Sequence, residues 1–232
     1  MREQQLNKYP DIQFANDRSL LIKVGKEISR ENHEKVHKIF LLLNSSKIEG
    51  IQSIHPAYNS ILITFDPCII SPHRINEIIT SLFEQENSVT IPESRIITIP
   101  VCYEDEYALD ISNVAKQNSL TIDQVIQFHS QPEYLVYFLG FSPGFPYLGE
   151  MPKEIATPRL ASPRLKVPEG SVAIGGDQTG IYPLSSPGGW NIIGRTPLKL
   201  FSPDKEEPTL LRMGDKVKFV PITKKEFQQL KN

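Results

Sequence analysis

The sequence predicts an α+β protein of two parts, a small two-layer α/β sandwich over residues 1–92 and a β-barrel domain over residues 93–232. Two observations lead there. Helix-period and strand-period segments alternate up to about Val89, as an α/β sandwich requires. Beyond it, ten of the 13 glycines and nine of the 19 prolines fall between Gly140 and Leu200. Few windows there are long enough for a helix, which leaves short strands and shaped loops, the grammar of a closed or nearly closed barrel.

Taken in order, Ser19 to Gly25 (SLLIKVG) reads as a strand, and Ser29 caps a helix running towards Leu43. Val36, Ile39, Phe40 and Leu43 share one helical face by their three-and-four spacing, and that face should cover a sheet. Ile48 to His55 and Ser60 to Asp66 are strands joined by a turn over Pro56–Asn59. Ser71 and Pro72 then open a second helix through Phe83, a serine cap followed by proline at the first helical position. Two helices interleaved with antiparallel strands suggest a sandwich of ferredoxin-like character with both helices on one face.

The second part begins with a strand from Arg95 to Tyr103, followed by helices over Asp110 to Gln117 and Thr121 to His129. Thr121 and Gln124 have the spacing of a capping box. Glu133 to Phe141 is a strong strand. Shorter ones are expected around Ser171 to Ile174, Gly180 to Pro183, Asn191 to Ile193, Leu198 to Phe201 and Lys216 to Val220. Pro143-Gly144-Phe145-Pro146 is restricted even in the unfolded chain, so this loop loses less entropy on ordering than an ordinary one.

Composition excludes several functions. With 39% apolar and 22% charged residues and a formal net charge of -2, the chain has no basic field for nucleic acid or anionic lipid. Cys68 and Cys102 form neither a CxxC pair nor a secreted disulfide scaffold, which fits a reducing compartment. The amino terminus lacks a signal-peptide core and no stretch is long enough to span a bilayer, so a cytoplasmic protein without nucleic-acid or membrane partners is expected.

His33-Glu34-Lys35-Val36-His37 matches HExxH, with Glu77 as a conceivable third zinc ligand. Phe40 and Leu43 stand where a metzincin continuation needs Gly and His, and both histidines flank the apolar stripe, so no metal site is assigned. No GxSxG elbow exists. His129 closes its helix just before the strand leading to GFSPGFPYL, and its ring is expected near the loop surface as a site residue or a helix-terminal cap. Arg159, Arg164 and Arg195 sit in Pro/Gly-rich loops that can aim a planar donor fork at carboxylate or phosphate, or can brace loop carbonyls. Gln178, Thr179 and Tyr182 add hydrogen-bonding groups beside glycines. Trp190, the single tryptophan, serves either as barrel anchor or as ligand platform. Phe141, Phe145, Pro146 and Tyr147 form an aromatic loop suited to contact.

Together YFLGFSPGFPYLG (Tyr137 to Gly149), ATPRLASPRLKVPEGSVAIGGDQTGIYP (Ala156 to Pro183), SPGGWNIIGRTPLKLF (Ser186 to Phe201) and LLRMGDKVKFVPI (Leu210 to Ile222) resemble one family, whose members are called allophanate hydrolase subunit 1, the B subunit of 5-oxoprolinase and Kip-type kinase inhibitor. The resemblance covers essentially the whole chain. It implies an amino-terminal α/β domain followed by a cyclophilin-like barrel, working in a complex with a barrel-bearing C-like subunit and an A-like third component. One segment departs: where the family tends to show GGEFGPDL, Glu104, Asp105, Ala108 and Leu109 replace its glycines and proline, while Glu106, Tyr107 and Asp110 persist.

The resemblance implies a subunit of an ATP-dependent lactam hydrolase that opens 5-oxoproline to glutamate, inactive alone, with ATP and magnesium acting in the complex and neither held tightly by this chain. On that reading Arg159, Arg164 and Arg195 stabilise phosphoryl charge and His129 carries a proton. Phe145, Pro146, Tyr147, Gln178, Thr179, Tyr182 and Trp190 contact substrate. The alternatives are a binding protein that inhibits a histidine kinase, or a subunit of another amide-activating hydrolase or carboxyltransferase of urea or allophanate type. A prolyl isomerase is a third reading and the least supported, because barrel shape alone does not carry that chemistry.

Overall fold

The structure, a computed structural model, describes residues 9–231, which divide into two compact units, one ending at Glu93 and the other beginning at Ser94. Most of the amino-terminal stretch read above for a signal peptide lies outside the described residues. No helix among them is long and apolar enough to cross a membrane.

The first unit runs β1 (Asp11–Asn16), β2 (Ser19–Lys23), α1 (Arg30–Ser46), β3 (Ile51–Pro56), β4 (Ser60–Phe65) and α2 (Pro72–Glu84). Its sheet has the order β1-β2-β4-β3 with every neighbouring pair antiparallel. The β2–α1–β3 crossover with β4 between its strands is the ferredoxin-like element that was expected. The position beside β2, where a strand following the second helix would lie in that fold, is taken by β1, a largely exposed edge strand that was not read from the sequence. Both helix starts form as their residues dictate: Ser29 accepts from the Asn32 N–H and Ser71 from the Arg74 N–H, each at 3.2 Å. Val36, Ile39 and Leu43 of α1 and Ile75, Ile79 and Leu82 of α2 are buried, as are Leu20, Ile22, Ile61, Ile63 and Phe65 of the sheet. Each such side chain contributes about 1.5–3 kcal/mol.

His33 and His37 are buried at the edge of this core with ring centroids 5.9 Å apart, and burial pushes the His37 imidazole below its ordinary pKa. Glu34 stays exposed beside Arg30, and Glu77 is bound to Arg74 at 3.0 Å and lies 3.4 Å from His73. Among the described residues no three His, Cys, Asp or Glu side chains stand together as a metal site.

The second unit runs β5 (Ile96–Cys102), α3 (Ile111–Gln117), α4 (Ile122–Ser130), β6 (Glu133–Leu139), β7 (Pro146–Gly149), β8 (Arg164–Val167), β9 (Ser171–Gly175), β10 (Gln178–Ile181), β11 (Ser186–Gly188), β12 (Asn191–Arg195), β13 (Lys216–Ile222) and α5 (Lys224–Leu230). Seven strands close a barrel in the order β10-β7-β6-β13-β5-β12-β9, and β8 with β11 forms a separate ribbon. The chain closes by a parallel pairing of β13 with β5, from Lys216 opposite Ile96 to Ile222 opposite Cys102. Asp215, buried just before β13, secures that seam by accepting from Arg95 Nε at 2.9 Å and from the Arg212 N–H at 2.8 Å.

The predicted strand at Leu198 to Phe201 is absent; only Phe201 bridges, to Thr209. Prolines at 197 and 203 remove ladder donors on either side of it. Conversely β7, β8, β11 and α5 were not read from the sequence, although Thr223 and Glu226 form a full capping box that announces α5.

His129 requires a correction. Its ring is fully buried inside the barrel and stacks on Phe219 with centroids 4.5 Å apart, far from the expected loop surface. The hydrogen bonds around it close in one way. Thr179 Oγ1 donates to the Ala173 carbonyl at 3.2 Å, so it accepts from His129 Nε2 at 2.8 Å, and the Tyr103 hydroxyl donates to Nδ1 at 2.8 Å. Burial lowers the His129 pKa to about 3, so the ring is neutral wherever the protein is folded near neutrality. The unfolded chain protonates this histidine below about pH 6.5 while the folded one does not. Stability from this group is therefore full above that pH and is lost as pH falls towards 3, by about 3 kcal/mol at pH 4. Urea midpoints measured from pH 7 to pH 4 should fall more steeply for the natural protein than for His129→Gln.

Candidate functional site

Strand parity decides what the barrel wall presents to either side. Val172 and Ile174 of β9, Ile181 of β10, Ile193 of β12 and Leu148 of β7 belong to the interior cluster. Their alternates Ala173, Tyr182, Ile192 and Tyr147, joined by Phe145, Val167 and Trp190, form a second cluster, which parity places on the outer face. An open cleft of about 330 Å³ lies over this outer cluster.

Phe145, Tyr147, Tyr182 and Trp190 make its walls, in edge-to-face pairs around Phe145 with centroids 5.1 Å from Tyr147, 5.3 Å from Tyr182 and 5.6 Å from Trp190. Two glycines let these rings sit against backbone. A Cβ at Gly175 would lie 2.5 Å from the Trp190 indole, and one at Gly188 would lie 2.4 Å from the Tyr182 hydroxyl oxygen. Phe141 stands at the rim, 64% exposed, with φ of 66°. The left-handed region costs an aromatic residue about 1–3 kcal/mol and is retained where surrounding structure over-determines it. Here the Gly140 N–H donates to the Phe145 carbonyl and the Phe145 N–H to the Ser142 carbonyl, each at 3.0 Å, closing the loop.

Arg159 completes the cleft, its guanidinium carbon 5.7 Å from the centre of the Trp190 ring. No carboxylate pairs with it among the described residues. Burial raises the Tyr147 and Tyr182 phenols above their ordinary pKa while the Arg159 charge pulls each the other way, so both are neutral donors near neutrality. The Trp190 backbone N–H also pulls the Tyr182 phenol down, and a neutral phenol has a proton of its own to donate.

The other two arginines do different work. Arg164 Nη2 bonds Asp110 Oδ1 at 2.6 Å, and Asp110 Oδ2 accepts the Ile192 N–H at 2.7 Å, while the Asp110 N–H donates to the Ile192 carbonyl at 2.7 Å. This clamp ties β8 and the start of α3 to β12. Arg195 Nε donates to the Glu169 carbonyl at 2.7 Å and braces the turn before β9.

Of the residues predicted to form the site, the structure gathers Phe145, Tyr147, Arg159, Tyr182 and Trp190 around one cleft and adds Phe141 at its rim. Arg164, Arg195, Pro146, Gln178, Thr179 and His129 are not in its lining. Thr179 and His129 hold each other inside the barrel instead. Sequence reasoning missed Leu160, Pro163 and Pro187, which line the cleft beside Gly188 and Gly189, and it missed the role of Asp110. The Pro-Gly-Gly run before Trp190 was the available signal for the first group, and the persistence of Asp110 in an otherwise altered segment was the signal for the last.

Residues 10–211 match the family described as carboxyltransferase domain, subdomain C and D. The chain belongs to this family. It is 42% identical to the B subunit of 5-oxoprolinase from Bacillus subtilis (strain 168) over 231 residues, which cover 95% of this chain and 96% of the relative. It is 56% identical to the B subunit of 5-oxoprolinase from Escherichia coli O157:H7 over 137 residues, 59% of this chain and 63% of that one. The crystal structure of TTHA0988 superposes with a TM-score of 0.78 at 35% identity, covering 88% of this chain; the chain spans only 40% of that longer molecule.

Two outcomes follow for this carboxyltransferase-domain protein. Gly175→Ala should displace the indole, lowering stability by about 1–3 kcal/mol and shifting the emission of the single tryptophan to the red. Arg164→Ala leaves the buried Asp110 carboxylate without its cation and should cost about 2–4 kcal/mol, whereas Arg159→Ala should cost at most about 1 kcal/mol. Thermal melts of the two arginine variants side by side check the difference.

Proposed function

We propose that this chain is the B subunit of a heteromeric, ATP-dependent 5-oxoprolinase that converts 5-oxoproline to glutamate in the cytoplasm. The observation that carries the reading is the 42% identity to a protein of that name over nearly the full length of both chains. The site is consistent with it. 5-Oxoproline is a small lactam ring bearing one carboxylate, and the cleft offers aromatic walls, a phenol donor and one uncompensated guanidinium.

The same lining explains why the chain would be inactive alone. Opening a lactam requires an activated carbonyl and a proton for the leaving nitrogen. The phenols are held above their ordinary range and the guanidinium does not titrate, so these side chains bind and orient but exchange no proton near neutrality. A partner subunit, a C-like barrel protein in the proposed complex, completes the site, and an A-like component supplies the remaining chemistry. Magnesium and ATP do not fit this cleft: no carboxylate lines it to hold the metal, and a single guanidinium faces what would be a polyanion. Arg159 is the anion contact in this scheme, and Arg164 and Arg195 hold the walls.

Co-expression with the candidate partners, followed by 5-oxoproline-dependent ADP and glutamate measurement with each component omitted, tests the reading. Turnover should require this chain and should be absent from it alone. Full turnover by the other components without it would overturn the proposal.

A further inference from the structure

Three cationic side chains of the barrel unit look alike in sequence, yet only Arg159 faces the cleft without a carboxylate partner. Its guanidinium lies over the indole of Trp190 and shares the cleft with Tyr147 and Tyr182. A single positive charge at the mouth of an aromatic box selects a single negative charge on a small flat body. Size agrees. The cleft of about 330 Å³ is at the small end of ligand sites, ample for a ring acid of about nine non-hydrogen atoms and short for a nucleoside triphosphate of about thirty.

Resting on the oxoprolinase reading, we infer that this cleft is the carboxylate subsite for the lactam substrate: Arg159 holds the ring's carboxylate, the aromatic walls flank the ring, and the Tyr182 hydroxyl donates to an oxygen of the ligand. The chain thereby recognises a small, flat monocarboxylate by itself, before any partner or nucleotide is present. The affinity is modest, with a dissociation constant on the order of a millimolar for so small a ligand. Its task is to orient the acid end while the carbonyl faces the partner.

Trp190 is the single tryptophan of the chain and forms a wall of the cleft, so its fluorescence, excited at a wavelength where nucleotide does not absorb, reports occupancy without any turnover. The full chain is titrated with L-5-oxoproline, with 2-pyrrolidinone, which has the ring and lacks the carboxylate, and with magnesium ATP. Ligand-observed saturation-transfer NMR accompanies each titration. The expected result is saturable binding of 5-oxoproline, at least tenfold weaker binding of pyrrolidinone and none of the nucleotide. Arg159→Gln should weaken 5-oxoproline binding at least tenfold, and Arg159→Lys by less, because it keeps the charge and loses the fork. The inference is overturned if neither fluorescence nor NMR detects 5-oxoproline, if pyrrolidinone binds equally well, or if Arg159→Gln binds as the natural protein does. The assembled complex separates this failure from that of the broader reading. Turnover that needs this chain but keeps the same KM for 5-oxoproline in Arg159→Gln sinks the subsite alone. Turnover indifferent to the chain sinks the oxoprolinase assignment, and the binding titration still decides the cleft.

Discussion

The barrel wall built by β9, β10 and β12 is loaded on both faces, and the rest of the second unit depends on that condition. All five residues of β9 are buried, which for a strand of alternating direction means that neither face is given to water. Val172 and Ile174 seal the interior, and Ala173 and Gly175 must be small because Trp190, Phe145 and Tyr182 are stacked against the other side. The site is thus a consequence of packing. Aromatic rings that need a flat backing find it where glycine and alanine expose the sheet, and the cleft is the space between those rings and the loops carrying Phe141 and Arg159.

Fixing rings on an outer wall requires that the wall itself not shift. The Asp110 clamp supplies part of that rigidity, because one carboxylate accepts from both Arg164 Nη2 and the Ile192 N–H. Charge-assisted bonds of this kind are worth about twice a neutral one, and this carboxylate is buried. Inside the barrel the Tyr103–His129–Thr179–Ala173 chain of hydrogen bonds does the same for the opposite face of β10. Two polar networks therefore pin one short strand system from both sides, and the aromatic residues between them inherit fixed positions.

The parts of this arrangement that were legible in the sequence are those set by neighbours. Helix starts at Ser29, Ser71 and Thr121 are written within four residues, and the apolar stripe of α1 within two turns. The aromatic loop and Trp190 announced themselves by residue type, and the family pattern supplied the barrel. Strands β7, β8 and β11 escaped because they are three or four residues long, with proline and glycine in β7 and β11, and periodicity has too little length to speak there. The roles of Arg159, Arg164 and Arg195 could not be told apart for a different reason. Their distinction lies in Asp110, 54 residues from Arg164, and in the Glu169 carbonyl, 26 residues from Arg195. Thr179 was misplaced by parity alone: one step along β10 turns a side chain from the cleft to the interior.

A site of this composition also constrains how the work of a complex is divided. Its walls are phenyl, phenol and indole, and its cation is one whose charge is fixed across the physiological range. Such a surface holds its ligand the same way whatever the pH, and no group in it changes charge during a reaction. Chemistry placed against it must bring its own acid, base and activating group. The openness of the cleft is what allows them in, because a ligand seated on an outer barrel wall keeps one side uncovered. An enclosed pocket would bind more tightly and would shut the partner out. On the proposed reading the fold trades affinity for access, which suits a barrel that supplies one half of a shared site.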